Sequence, residues 1–287
     1  MVIDVNYHPT FFEEVCRDED VADVRRKFMA FYKTPRCAVE QIKQRLKASG
    51  VDRCFLLPHD YRSLNGDRIS NDDVKMLVDM GKGCFYGFAA IDLEDPAAVD
   101  EVERAFSELR LSGLFLDPCR QVFYPSEERL HPIYEVCIKY NKPIIFHAGF
   151  NWQPDCAAKY GHPLNFEEIA IAYPKLRICL SQLGFPWVRE TAMLLLKYPN
   201  IYADTAVLYF DCAKEFYEHI FLKEMSIGWV DRSLRHQIMF GSNMPRFEEM
   251  RMLTALYSLG FREETVDLLV RQNALEFIGE EEANWLS

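Results

Sequence analysis

Long apolar runs are missing from this sequence, and no stretch approaches the ~20 consecutive apolar residues that a membrane-spanning helix needs. Positive charge is also in short supply: 33 Lys and Arg face 44 Asp and Glu, for a formal net charge of −11. That excludes the basic footprint by which proteins hold nucleic acid or an anionic membrane, although a local Arg cluster can still bind a small anion. Nine cysteines are present but none form a CxxC pair, which excludes a zinc ribbon and a thioredoxin-like motif. Cys54, Cys84, Cys137 and Cys179 sit in or beside apolar runs and read as reduced, buried thiols. The N-terminus opens on Val2-Ile3-Asp4-Val5, with neither the basic n-region nor the apolar h-region of a signal peptide, so a cytoplasmic location is expected.

What the chain does have is apolar content (49%) balanced by 27% charged residues, enough for a large core under a soluble surface. Eight short apolar runs recur: Val2–Val5, Val51–Leu57, Cys84–Ile91, Gly113–Leu116, Pro143–Phe146, Arg177–Leu180, Ile201–Ala203 and Gln237–Phe240. They are continuous in polarity, as parallel strands covered on both faces must be. Between them lie helix-period segments. Ala38–Ser49 places Val39, Ile42 and Leu46 at spacings of three and four, with Gly50 ending the run. Val99–Leu109, Leu130–Tyr140 and Trp187–Lys197 behave alike, and Asn71-Asp72-Asp73 is predicted to cap Val74–Met80. Phe247–Leu259 and Glu263–Val270 are expected to close the structure as helices.

Eight strand–helix units give a closed barrel or a doubly wound sheet. The length of 287 residues, the unit count and the lack of a Gly-rich phosphate loop after the first strand favour the barrel. The prediction is one α/β domain over residues 1–287, a (β/α)8 TIM barrel. Residues 9–37 form a long excursion after the first strand, with Phe11, Phe12, Phe28, Phe31 and Tyr32 interleaved with Arg25, Arg26, Lys27 and Lys33. A βα loop of that length lies at the catalytic end and is expected to serve as a lid. His59–Ser70 makes a second such loop.

Residues just past each strand face the pocket of a barrel. Here they are Asn6 and His8, His59 to Arg62, Asp117 to Arg120, His147, Gln182, Asp204 and Asn243. The runs Gly113-Leu-Phe-Leu-Asp-Pro, Tyr124-Pro, Pro132-Ile-Tyr-Glu and Pro143-Ile-Ile-Phe-His-Ala-Gly make the likeness specific. Leu183-Gly184, Pro186-Trp187, Pro199-Asn-Ile-Tyr-Ala-Asp-Thr, Phe240-Gly-Ser-Asn-Met-Pro and Asn273-Ala274 continue it in order. From Ile3-Asp4 onward the chain resembles the amidohydrolase-related (amidohydrolase 2) family, which includes the aminocarboxymuconate semialdehyde and dihydroxybenzoate decarboxylases. The resemblance implies an amidohydrolase-type barrel and a divalent metal, usually zinc. Paired histidines after the first strand, a histidine after the fifth and an aspartate after the eighth would hold it, while a histidine after the sixth handles protons. This sequence has Asn6-Tyr7-His8, His147, Asn243 and Gln182 at those places. His8 and His147 match; the other three are amides.

A carboxamide is a weak substitute for imidazole or carboxylate at zinc. Asn243 removes the only anion of the set, and Gln182 cannot act as a general base. No metal is therefore assigned to the inherited position. If zinc or manganese binds at all, His8 and His147 are the candidate ligands, joined by Asp117 should the strand ends converge. The expected catalytic set is His147, His8, Asp117, Gln182 and Asn243. In it His147 or His8 is the base, Asp117 or Asp204 a second proton-transfer group, and the amides polarise a carbonyl. Asn6, Arg120, Arg62, Arg246 and Trp152 are expected to bind substrate, the arginines (Arg36 among the candidates) through a carboxylate. The aromatics Phe123, Tyr124, Phe150, Trp152, Phe185 and Trp187 would suit a flat ligand. The resemblance implies a hydrolase or carboxy-lyase for a small carboxylated cyclic or aromatic acid or lactone, and a homodimer. The alternatives are a pseudoenzyme that binds a metabolite or partner, and a zinc or manganese enzyme with weakened or relocated ligands.

Overall fold

The computed structural model describes residues 1–31, 34–206 and 212–280. Its eight-stranded sheet is parallel and follows chain order: β1 (Ile3–Tyr7), β2 (Arg53–Leu56), β3 (Phe85–Ala89), β4 (Gly113–Leu116), β5 (Ile144–Phe146), β6 (Ile178–Leu180), β7 (Ile201–Asp204) and β8 (Ile238–Met239). Val5 N donates to Phe240 O (2.9 Å) and His8 N to Met244 O (2.7 Å), which closes the last strand onto the first. The (β/α)8 barrel is thus formed as the eight apolar runs predict. Most runs overshoot their strands by a residue or more at an end, because buried residues such as Val51, Leu57 and Ile91 continue the core into the loops.

The first strand differs in the other direction. It runs two residues past Val5, so Asn6 lies within the strand instead of beyond it. Its polar side chain is accommodated because Asp204 accepts from Asn6 Nδ2 at 3.0 Å. The β1–β2 register breaks between Asp4 and Tyr7, a bulge of the kind that re-aims side chains at a barrel rim.

Side chains alternate along each strand. One set, including Ile3, Val5, Phe55, Phe88, Phe115 and Tyr202, packs on itself in the interior, and the final helix Asn273–Ile278 adds Leu275, Phe277 and Ile278 to it. The outward set meets the surrounding helices, among them Val39–Ser49, Ala98–Ser107, His131–Lys139, Val188–Lys197 and Glu249–Tyr257. Gly50 ends the first of these in the left-handed region at φ 76°. The N-cap of helix Asn71–Gly81 is Ser70, one residue before the Asn-Asp-Asp run, and Asp73 of that run completes the cap: Ser70 Oγ accepts from Asp73 N while Asp73 Oδ2 accepts from Ser70 N, a reciprocal capping box. The segment from Glu263 is helical to Asp267 and widens into π turns over Leu268–Gln272. Among the described residues no helix is long and apolar enough to cross a membrane.

The excursion after β1 contains a 3-10 turn, Pro9–Phe11, and a helix, Glu19–Phe28, whose cap Asp18 accepts from Val21 N. Phe11, Cys16, Ala22, Met29, Phe31 and Tyr61 make a small core of their own. Arg25, 2% exposed, ties that core down by donating to Thr10 O, Val15 O and the Asp67 carboxylate. Tyr32 and Lys33, part of the expected aromatic and basic interleaving, lie outside the described residues.

Gly149 shows how tightly the loops after β5 and β6 meet. It has φ 89°, and a Cβ there would sit 2.2 Å from Phe185 O. Left-handed strain and overlap with backbone cannot both relax cheaply. Gly149→Ala is expected to cost about 2–4 kcal/mol in chemical denaturation; a loss below about 1 kcal/mol would mean the two loops are not held at this separation.

Candidate active site at the strand ends

Two buried carboxylates form the floor. Asp4 and Asp204 are both 0% exposed. Asp4 Oδ1 accepts from Asn6 N and Ser242 N; Asp204 Oδ1 accepts from Gln182 N and Ala206 N, and its Oδ2 takes Asn6 Nδ2. These bonds fix the ends of β1, β6, β7 and β8 to one another. Burial outweighs the hydrogen bonds and raises the Asp4 carboxyl to about 7. Asp204 is raised for the same first reason, against the bonds from Gln182, Asn6 and Ala206.

Above the floor lies a cavity of ≈ 70 Å³. His8, Asp117, Arg120, His147, Trp152, Gln182, Asn243 and Arg246 line it, as the strand-end reading expects. Gln182 and Asn243 present their side chains from left-handed backbone, φ 61° and 66°, and Leu183 shares that region at 49°. Non-glycine residues persist there only when their surroundings hold them, and such places concentrate at functional sites.

Three histidines reach the cavity, each with one ring nitrogen engaged by an oxygen. His8 Nδ1 meets Leu57 O at 3.0 Å, His147 Nε2 meets Phe150 O at 3.2 Å, and His59 Nε2 meets Asp67 Oδ2 at 2.8 Å. An oxygen acceptor selects the N–H on the engaged nitrogen and leaves the other as a lone pair. Burial lowers His8 to about 4, with His147, His59 and Arg246 adding to the effect, and burial also lowers His59.

The two cavity arginines hold the excursion. Arg120 bonds Gln153 Oε1 and Phe28 O, lies 3.5 Å from Asp117, and stacks over the Phe28 (4.8 Å) and Tyr61 (5.4 Å) rings. Arg246 donates to Met29 O and Ala30 O and lies 4.5 Å from the Phe31 ring and 5.3 Å from Trp152. Asp117 caps the turn Pro118–Gln121 by accepting from Arg120 N, which sets where that arginine starts.

Three expected residues are not on the cavity wall: Asp204, fully buried in the floor with both oxygens hydrogen-bonded, Asn6 and Arg62. Asn6 lies in the floor, its amide given to Asp204 and Ser181. Arg62 pairs with Asp60 (2.9 Å) and Asp95 (3.0 Å) and faces a separate surface hollow, because the chain turns outward into the helical turn Arg62–Asn65 after Tyr61. Arg36 is likewise taken by Glu19 and Cys16 O. Of the aromatics expected nearby, Trp152 lines the cavity; Phe123 is core, Tyr124 packs on Tyr160 and Trp187 on His162. His59 and Tyr61 line it as the strand-end range His59 to Arg62 expects, although neither was given a role; Gln153 lines it without having been named, and Asp67 and Arg25 stand behind His59. His59 carried a signal, its place just past β2. Asp67 carried none, since it lies across a hairpin (Asp60–Tyr61 with Asp67–Arg68) too short to show in sequence pattern.

The inherited positions do not fit a divalent metal well. Asn6 Oδ1 is buried with no protein partner, but a carboxamide oxygen is a poor exchange for imidazole. Among the described residues no three His, Cys, Asp or Glu side chains gather so that they could hold an ion.

The chain belongs to the amidohydrolase family, whose model matches residues 62–279. No curated protein matches it. Among solved structures it is similar to an uncharacterised TIM-barrel protein from Bordetella bronchiseptica (18% identity, 97% of this chain and 98% of that one, TM-score 0.76). It is also similar to 5-carboxyvanillate decarboxylase from Novosphingobium aromaticivorans, solved with manganese and 4-hydroxy-3-methoxy-5-nitrobenzoic acid (15%, 97% and 96%, 0.67). A third is 2,6-dihydroxybenzoate decarboxylase from Rhizobium (14%, 96% and 97%, 0.65). At these identities the likeness shows the barrel.

The floor and wall should leave opposite marks on stability. His8 has a folded pKa below its ordinary 6.5, so its contribution is present above pH 6.5 and is lost as pH falls toward 4. Asp4 has a folded pKa above 3.8, so its contribution is present below that value and is lost as pH rises toward 7. In unfolding titrations His8→Gln should flatten the acid decline and Asp4→Asn the decline on the way to neutral pH. An unchanged slope in either variant contradicts the corresponding assignment.

Proposed function

We propose that this chain is an enzyme, a hydrolase or carboxy-lyase acting on a small carboxylated cyclic or aromatic acid or lactone, without a metal tightly held at the inherited position. The observation that carries the reading is the pair of guanidiniums at the cavity, Arg120 and Arg246, set among the faces of Phe28, Tyr61, Phe31 and Trp152. A guanidinium pairs with a carboxylate and the rings suit a flat ligand. The small aromatic acids named for the decarboxylase neighbours support this class. The amides Gln182 and Asn243 polarise a carbonyl by hydrogen bonding, and the histidines move protons.

Residues 9–37 act as the lid in this reading. The ≈ 70 Å³ cavity is well below the ~300 Å³ typical of small-molecule sites, so a ring-sized ligand enters only when helix Glu19–Phe28 lifts. The Phe28, Met29 and Ala30 carbonyls then leave the arginines, and the ligand carboxylate takes their place. A charged acceptor is the stronger partner for guanidinium.

The test is turnover of a panel of lactones and aromatic or diene carboxylic acids, with chelator-treated protein beside untreated. Turnover that survives chelation is expected, with Arg246→Met raising KM about 10–100-fold. Binding without turnover across the panel would make the chain a ligand-binding pseudoenzyme. Turnover only after zinc or manganese is returned would overturn the metal-independent part.

A further inference from the structure

His59 differs from the other two cavity histidines in what stands behind it. His8 and His147 lean on main-chain carbonyls, Leu57 O and Phe150 O. Among the described residues only His59 of the three leans on a carboxylate, Asp67 Oδ2 at 2.8 Å. A neutral carbonyl sets a tautomer; a carboxylate also stabilises the imidazolium that forms when the ring takes a proton. Burial raises the Asp67 carboxyl, but the bonds from His59 and Arg25 outweigh it and hold the group far below the usual carboxylate range. Arg25 donates to both Asp67 oxygens from Nε and to Oδ1 from Nη2, at 2.9–3.2 Å, and is itself pinned by Thr10 O and Val15 O. Asp67 therefore stays ionised and fixed in place.

The imidazole is fixed too. Its ring stacks on Tyr61 (centroids 5.2 Å, 20° between planes), and the residue is 4% exposed. With Nε2 given to Asp67, Nδ1 is the nitrogen left for the cavity that His59 lines. Arg120, whose charge bears on His59, sits on the same wall and would hold a substrate carboxylate near that lone pair.

We infer that His59 is the general base of this pocket, positioned by the Asp67–Arg25 pair, and that the reaction it serves is hydrolysis of a carboxylated lactone or ester. This rests on the reading of the chain as an enzyme and selects the hydrolytic branch of it. His59 Nδ1 takes a proton from water as the water oxygen bonds to the carbonyl carbon, and the carbonyl electron pair moves onto oxygen. When that pair returns, the bond from the carbon to the leaving oxygen breaks, and the imidazolium passes its proton to the leaving oxygen. Water is the only co-reactant. The role that Gln182 cannot fill at the end of β6 is thereby taken up from the end of β2.

The test has two arms. In protein labelled with 15N-histidine, His59 at pH 7 should be neutral and protonated on Nε2, and Asp67→Asn should disturb that tautomer. A His59 ring protonated on Nδ1, or on both nitrogens, overturns the inference whether or not a substrate is known. On any lactone turned over by the wild type, His59→Gln should lower kcat at least about 100-fold with KM little changed, and His59→Asn should do the same. Asp67→Asn should lower kcat about 10–100-fold and move the acid limb of the pH profile to lower pH, since the imidazolium has lost its counter-charge. A structural role alone would not move that limb. Wild-type kcat in both His59 variants overturns the inference and leaves the proposed function standing. Absence of turnover on every probe overturns the proposed function, and the base assignment with it.

Discussion

The mouth of this barrel depends on how two buried carboxylates are held by hydrogen bonds, with no ion pair to either among the described residues. Asp4 and Asp204 would each be costly to bury unpaired. Main-chain amides of Asn6, Ser242, Gln182 and Ala206 surround them, and Asn6 Nδ2 completes Asp204. Because the donors come from four strand ends, holding Asp4 Oδ1 and both Asp204 oxygens goes together with closing the barrel, while Asp4 Oδ2 is buried without a hydrogen-bond partner. The left-handed backbone at Gln182 follows from it, since Gln182 N must turn down to Asp204 while the side chain faces the cavity.

The same floor explains why an asparagine at position 6 is tolerated. The Asn6 amide donates from Nδ2 to Asp204 and to Ser181, so its buried side chain is held in the floor. The polar ring of strand ends is kept and its ligand strength is not. Over this rigid floor the excursion is held by contacts of another kind, carbonyls at the end of helix Glu19–Phe28 donated to by Arg120 and Arg246. Those bonds meet the open carbonyls of a helix C-terminus, and in the proposed function a ligand anion takes their place.

The barrel was legible because continuous apolar runs and helix-period stripes repeat eight times, and the pocket residues at six of the strand ends followed from fold geometry. Arg62 was misplaced because sequence cannot show that the chain turns outward after Tyr61 to meet Asp60 and Asp95. Asn6 was placed at a strand end that the backbone in fact passes through. His59 was visible as a strand-end residue, but the partner that distinguishes it, Asp67, sits across two two-residue strands whose pairing leaves no periodic trace. Buried ion pairs such as Arg25–Asp67 are tertiary facts; a helix stripe predicts an arginine on the solvent face, and this one is 2% exposed.

In the proposed function, hydrogen-bonded amides stand in place of metal ligands at the inherited position. Metal analysis of protein purified without chelator tests it most directly, beside a variant carrying Asn6→His, Gln182→His and Asn243→Asp together. The wild type should hold substoichiometric metal, and the restored variant should take up zinc. Stoichiometric zinc or manganese in the wild-type protein would contradict the claim.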